Sequence, residues 1–162
     1  MWKYDTTGRS LGAERFHIST FVFLSVFMYT HRFPKAEHLC LRNDIDNLFA
    51  AGSKAQSAYP LRIVYREVIH REGPRVKVLL SVPKRKLRHA VDRNRVKRQL
   101  REAYRLNKFI LLEQLRPKQG LHLAFMWIAD KTLESVFVEK KMVALLHRVV
   151  EQLQAEDSVA QS

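Results

Sequence analysis

The chain has almost none of the residues that build covalent or metal-bound frameworks. Cys40 is the only cysteine among 162 residues, which excludes a disulfide framework and a metal site made of several cysteines. Gly and Pro number five each and no segment is of low complexity, so a chain that is disordered throughout is not expected. Because 46% of the residues are apolar, we expect one folded domain. The single cysteine indicates a reducing compartment, the cytoplasm.

Long hydrophobic runs are also missing. The longest apolar stretch, residues 16–29, is interrupted by polar residues and is shorter than the roughly 20 apolar residues that span a bilayer. Basic residues precede this stretch, but no small-x-small cleavage site of a signal peptide follows it. No membrane partner is expected. We expect residues 1–30 to be an N-terminal extension, with Met28 as an alternative start, residues 31–155 to be the domain, and residues 156–162 to be a tail.

Acidic residues are scarce, and the excess of basic residues is concentrated in one segment. Lys and Arg number 29 against 16 Asp and Glu, for a formal net charge of +13. Residues 84–108 hold eleven basic residues against Asp92 and Glu102, so this segment alone carries +9. A cluster this dense has a repulsion cost that a bound polyanion relieves, whereas a diffuse excess indicates only solubility. The expected partner is therefore a nucleic acid.

The hydrophobic pattern predicts both helices and strands. A short first helix is capped by Asn43 or Asp44 and is ended by Gly52. Its apolar positions are Ile45, Leu48 and Phe49. Three strands are predicted over residues 61–68, 76–82 and 121–128, because these runs are rich in β-branched and aromatic residues. Residues 70–74 are predicted to be the hairpin loop between the first two strands. A second helix is expected over residues 90–107, with continuation through Leu115 as the alternative, and a third over residues 138–154.

The helix over residues 90–107 is predicted to have one apolar and one basic side. At about 100° per residue, one arc contains the candidate core residues Val96, Leu100, Ala103 and Tyr104. The basic side contains Arg93, Asn94, Arg95, Lys97, Arg98, Arg101 and Arg105, and two more cations, Lys84 and Arg85, precede the helix. A solvated helix face is the alternative, but such faces usually mix Glu with Lys at i, i+4. The preference for arginine favours bidentate recognition of phosphate, so these nine residues are the candidate RNA-binding residues.

The central run of this helix resembles a known family signature. Residues 93–102 (RNRVKRQLRE) resemble the R-N-R signature of the protein subunit of bacterial ribonuclease P. Residues 81–85 (SVPKR) resemble its S-V-S-K-K stretch, and the resemblance extends over residues 33–153. The departures are His38 where the family usually has Arg, Ile45 where it usually has Phe, Arg88 near the usual Gly with one extra residue in the turn, and no A-R-K-P pattern near residues 128–131.

The resemblance implies both a fold and a division of labour. The implied fold is α+β, a small two-layer α/β sandwich with a mixed sheet of about four strands and a left-handed β-α-β crossover. The implied partners are the catalytic RNA of ribonuclease P, in a 1:1 complex, and precursor tRNA, and no protein partner is expected. The RNA, with the Mg²⁺ that the complex requires, would hydrolyse the phosphodiester that joins the 5′ leader to the tRNA. No metal site and no bound cofactor are expected in the protein itself.

The resemblance also implies a cleft for the single-stranded leader between the first helix and the sheet. The candidate residues are Lys35, Ile45, Phe49, Tyr65 and Arg62. On a regular strand Tyr65 and Arg62 point to opposite faces, and by analogy with the family we prefer Tyr65 for the cleft. Packing of Phe49 into the core is an equally weighted alternative.

Protein-based catalysis is not expected. The seven His residues are scattered, and Asp44 and Asp46 face different directions on a helix, so no acid and base pair is visible. The alternative to a ribonuclease P subunit is a non-enzymatic RNA-binding module, such as a ribosomal protein or an RNA chaperone. A DNA-binding helix is disfavoured because no helix-turn-helix partner precedes Ala90.

Overall fold

The structure, a computed structural model, describes residues 32–70 and 72–160. The predicted extension over residues 1–30 and the alternative start at Met28 lie outside this part of the chain. The described elements are a 3-10 turn at Lys35–Glu37, helix α1 (Arg42–Phe49), strands β1 (Lys54–Ala58), β2 (Leu61–Ile69) and β3 (Val76–Ser81), helices α2 (Ala90–Asn107) and α3 (Phe109–Leu112), strand β4 (Gln119–Trp127) and helix α4 (Ser135–Ala160).

The four strands form one mixed sheet in the order β1-β2-β4-β3. Strand β2 is antiparallel to both of its neighbours, whereas β3 and β4 are parallel and are joined through α2 and α3. The predicted α+β architecture with a mixed four-stranded sheet is therefore confirmed, while the hand of the β3-α2-β4 crossover stays a prediction. Strand β1 was not predicted, because its sequence KAQSA has too few apolar residues to give a strand signal.

The predicted hairpin between β2 and β3 is wrong. Strand β4 lies between them and pairs with both, although it comes more than thirty residues later in the chain. It takes the central place because its apolar residues are buried on both sides of the sheet, with Leu123, Phe125 and Trp127 on one side and Ala124 on the other. Gly73 does form a turn at φ 83°, but the segment that contains it connects strands that are not neighbours.

The two faces of the sheet are covered differently. On one face Ile63, Tyr65 and Phe125 pack beneath α2, α3 and α4 in the larger hydrophobic core. The predicted core residues of α2, namely Val96, Leu100, Ala103 and Tyr104, are buried there. Among the described residues, a single helix, α1, covers the other face, and its Leu48 is buried in a small cluster with Val64. Full burial of one such leucine stabilises the fold by roughly 1.5–3 kcal/mol, which is enough to seat a two-turn helix on the sheet.

Several predicted helix ends differ from the structure. Helix α1 begins at Arg42, so Asn43 and Asp44 lie inside its first turn and do not cap it. Helix α4 begins at Ser135, three residues earlier than predicted, and it continues to Ala160, into the region predicted to be a tail. An ion pair between Lys54 and Glu156 connects the last part of α4 to β1.

Gly120 has little room for a side chain. A Cβ at this position would lie 3.1 Å from Cγ2 of Val68 and 3.2 Å from the carbonyl oxygen of Arg75. The backbone of two strands cannot easily move apart, so we expect Gly120→Ala to lower the free energy of unfolding by about 1–2 kcal/mol. Urea denaturation followed by circular dichroism measures this effect. An unchanged midpoint would show that the strands adjust at no cost.

Candidate nucleic-acid interface

Helix α2 is held on the rest of the domain by its buried apolar side and by hydrogen bonds beside that side. Two residues of its apolar side, Val96 and Leu100, are fully buried. The Gln99 amide donates to the carbonyl oxygen of Leu133 at 3.0 Å and to the Ser135 hydroxyl at 2.9 Å, which ties α2 to the start of α4. The opposite side of the helix is thereby presented to solvent in a fixed orientation.

The cations predicted to bind RNA are not equivalent. The Arg93 guanidinium donates to the carbonyl oxygens of Leu87 and Arg88, at 3.0 and 2.7 Å, and so holds the turn that precedes α2. Arg105 makes two bonds with Glu102, of 2.9 and 2.6 Å, and these bonds lower the pKa of that carboxyl. Two of the predicted RNA-binding cations, Arg93 and Arg105, are therefore engaged within the protein.

The remaining predicted cations have no acidic partner in the described part of the chain. We call this set, together with Asn94, the basic surface. Its members are Lys84, Arg85, Asn94, Arg95, Lys97, Arg98 and Arg101, all of which are exposed. Unpaired exposed cations on a rigid helix bind phosphates without first breaking an internal ion pair, so the basic surface suits a polyanion.

The basic surface has two flanks. Arg95, Arg98 and Asn94 line a shallow depression beside Ser135, where α4 begins. Lys97 and Arg101 instead line a groove next to strand β3. Since β3 is the last strand in the sheet order, this second flank lies where α2 meets the edge of the sheet.

Three of the predicted leader residues, Ile45, Phe49 and Arg62, lie on the face of the sheet that carries α1. Ile45 is half-buried against the small cluster around Leu48. Phe49 is 47% exposed and belongs to neither hydrophobic cluster, which disfavours the alternative that it packs into the core. Arg62 is exposed on the same face of β2 as Val64, and Lys35 is exposed in the 3-10 turn before α1.

The placement of Tyr65 in the leader cleft is wrong. Its side chain is fully buried in the larger core, on the face of the sheet opposite α1. Burial raises the pKa of Tyr65 to about 12, and its hydroxyl donates to the Gln152 side chain on α4. The alternation of side chains along the strand correctly separated Tyr65 from Arg62, but it did not show which face α1 covers. The face that α1 covers also holds Arg66, whose guanidinium donates to the carbonyl oxygen of Asn47 at 2.8 Å.

A buried ion pair below the basic surface was not predicted. Lys108 is 4% exposed and bonds to Glu37 at 2.6 Å, which joins the end of α2 to the 3-10 turn. The adjacent Phe33 ring stacks on His38 at 4.3 Å and meets Tyr104 edge-on at 5.2 Å. These residues are far apart in sequence and follow no periodic pattern, so only the folded chain shows that they meet.

Within residues 32–70 and 72–156, no three His, Cys, Asp or Glu side chains lie close enough together to hold a metal ion. Burial lowers the pKa of His122, which keeps its imidazole neutral near pH 7. The charge of Asp44 acts against this lowering, and Asp44 forms an ion pair with Lys77 at 3.7 Å.

In the described part of the chain, no helix is long and apolar enough to cross a membrane.

Comparison with known sequences identifies consistent relatives. A family model described as Ribonuclease P matches residues 33–150. The ribonuclease P protein component of Porphyromonas gingivalis is 42% identical over 121 residues, which cover 74% of this chain and 88% of that protein. The ribonuclease P protein component of Chlorobium phaeobacteroides is 33% identical over 126 residues, which cover 70% of this chain and 86% of that protein.

Solved structures share the fold. The RNase P protein from Thermotoga maritima superposes with a TM-score of 0.54 at 23% identity, over 69% of this chain and 96% of that one. The RNase P protein from Staphylococcus aureus gives a TM-score of 0.56 at 15% identity, over 71% of this chain and 96% of that one. At these identities the likeness establishes the architecture alone.

Proposed function

This chain belongs to the ribonuclease P protein family, and we propose that its basic surface docks onto the catalytic RNA while the α1 face of the sheet holds the precursor tRNA leader. As a protein component of ribonuclease P, it acts in maturation of the tRNA 5′ end, with the ribonuclease P RNA as its partner. The finer proposal concerns which residues touch which RNA. It includes a 1:1 complex in which the RNA, with its Mg²⁺, performs the hydrolysis.

The observation that carries the proposal is the set of unpaired cations on one rigid helix. Arg95, Lys97, Arg98 and Arg101 are all exposed, and none forms an ion pair within the described residues. A structured RNA offers closely spaced phosphates that arginine can bind with two parallel bonds. Such contacts release condensed counterions, so binding is expected to weaken steeply as the salt concentration rises.

A competition experiment tests this function against that of a general RNA-binding module. The full chain is titrated onto labelled catalytic RNA in a gel-shift assay, with an unrelated structured RNA of equal length as competitor. We expect saturation at one protein per RNA, and we expect the catalytic RNA to compete at least tenfold better than the unrelated one. Equal competition by both RNAs would favour the general RNA-binding module.

Phe49 is predicted to contribute to recognition of the leader. Loss of a stacking aromatic weakens binding of single-stranded nucleic acid by roughly 1–3 kcal/mol per base. We therefore expect Phe49→Ala to reduce the preference of the protein–RNA complex for leader-bearing over mature tRNA by about tenfold. Because Phe49 lies outside both cores, the free energy of unfolding should fall by less than about 1 kcal/mol. Affinities for the two tRNAs, measured side by side, give the preference.

Tyr65→Phe is the matched control for this prediction. It removes a hydroxyl on the opposite face of the sheet and should leave the preference for the leader unchanged. Equal losses of affinity for both tRNAs in Phe49→Ala would assign Phe49 a structural role instead.

A further inference from the structure

A small groove lies between α2 and the edge strand β3, and the leader proposal makes no use of it. Its volume is about 190 Å³. Its apolar side is formed by Phe33, His38, Leu39 and Leu80, and its rim carries Lys97 and Arg101. Pockets that enclose a whole drug-sized ligand usually measure about 300–1,000 Å³, so this groove suits a fragment the size of a single nucleobase.

The apolar side of the groove is held in place before any ligand binds. The Phe33 ring is stacked on His38 and rests edge-on against buried Tyr104. The amide of Leu39 donates to the carbonyl oxygen of Val78 at 3.0 Å, so this segment extends the edge of the sheet. A preformed surface loses little conformational entropy when a base packs against it.

The rim supplies charge next to this apolar surface. Lys97 and Arg101 lie one helical turn apart on the same flank of α2, and neither has an acidic partner in the described part of the chain. Aromatic and apolar surface for a base, with cations one step away for its phosphates, is the combination that binds unpaired nucleotides.

We propose that this groove receives one unpaired nucleotide of the catalytic RNA, with its base against Phe33 and His38 and its phosphates at Lys97 and Arg101. The inference rests on the proposed function. The catalytic RNA is favoured over precursor tRNA because both rim cations belong to α2, the helix of the basic surface. The proposed leader residues on α1, by contrast, lie on a face of the sheet that α2 does not cover.

The single cysteine provides a direct probe, because Cys40 is exposed and lines this groove. The full chain is alkylated with N-ethylmaleimide, alone and with saturating catalytic RNA, in the absence of any tRNA. We expect the RNA to slow alkylation of Cys40 at least tenfold. In Lys97→Gln/Arg101→Gln, at its own saturating RNA concentration, the slowing should fall below threefold. Lys118→Gln/Arg148→Gln removes the same charge from two exposed positions outside α2, so it is the matched control and should keep the full slowing.

The variant His38→Ala distinguishes the contribution of the base contact to affinity from the contribution of charge. We expect its affinity for the catalytic RNA at pH 8 to fall at least fivefold, with an unchanged dependence on salt, because a base contact releases no counterions. The rate of alkylation without RNA should match that of the unaltered chain, which shows that the segment around Cys40 remains folded.

Three outcomes would overturn the inference. If bound RNA leaves Cys40 fully reactive, the groove is empty in the complex although the proposed function stands. If protection requires precursor tRNA, the groove belongs to the substrate. If the catalytic RNA does not bind at all, the proposed function fails and the inference fails with it.

Discussion

Replacing Arg95 and Arg98 with Gln is expected to weaken binding of the catalytic RNA on the order of 30-fold at physiological salt. Both side chains are exposed on the flank of α2 beside Ser135, and neither forms an ion pair within the described residues. Each phosphate contact releases about one counterion, so the slope of log affinity against log salt should become shallower by about two. Filter binding at four or more salt concentrations measures both quantities.

A charge-matched control distinguishes contact from general attraction. Lys118→Gln/Arg148→Gln removes the same charge from two exposed positions outside α2, one just before β4 and one on α4. Long-range attraction alone would weaken binding equally in both double variants. We expect the control to lose less than threefold in affinity and to keep its salt slope. An unchanged slope in Arg95→Gln/Arg98→Gln would show that these side chains do not touch phosphate.

Replacing Glu37 with Ala is expected to lower the free energy of unfolding by about 3 kcal/mol. The substitution leaves the ammonium of Lys108, which is 4% exposed, without the carboxylate that it contacts at 2.6 Å. Removal of one partner of a buried ion pair costs much more than the pair itself contributes, because the remaining charge stays desolvated. Urea denaturation of both proteins gives the difference.

An exposed ion pair provides the comparison. Lys86 contacts Asp130 at 2.9 Å near the protein surface, so Lys86→Met should cost about 1 kcal/mol or less. The double variant Glu37→Gln/Lys108→Met removes both buried charges and should recover part of the loss. A cost for Glu37→Ala no greater than that for Lys86→Met would mean that water reaches Lys108 freely.

The basic helix could be predicted closely from the sequence. Its bounds follow from a 3.6-residue period of apolar residues in a segment whose remaining positions are mostly polar. The same period identifies its four buried residues, Val96, Leu100, Ala103 and Tyr104. The unequal roles of its cations could not be predicted. Arg93 faces backbone carbonyl groups of the preceding turn, and no side-chain pattern records where those carbonyls point.

The two wrong predictions, the place of Tyr65 and the hairpin between β2 and β3, both concern long-range packing. The period of two in β2 separated Tyr65 from Arg62 and Arg66, but the two faces of the strand differ only in what other elements cover them. The same holds for the predicted hairpin, because the place of β4 between β2 and β3 depends on segments far apart in the chain. Local signals therefore predicted most of the helices and strands, while partner strands and covered faces required the folded structure.

The most direct test of the account is cleavage by a reconstituted complex. The full chain is mixed with the catalytic RNA at a Mg²⁺ concentration too low for the RNA alone to act, and release of the 5′ leader from precursor tRNA is measured. We expect the unaltered chain to restore cleavage at the mature 5′ end, and Arg95→Gln/Arg98→Gln to do so only at a correspondingly higher protein concentration. Cleavage that is no faster with the chain than without it, at protein concentrations that saturate the RNA, would contradict the account.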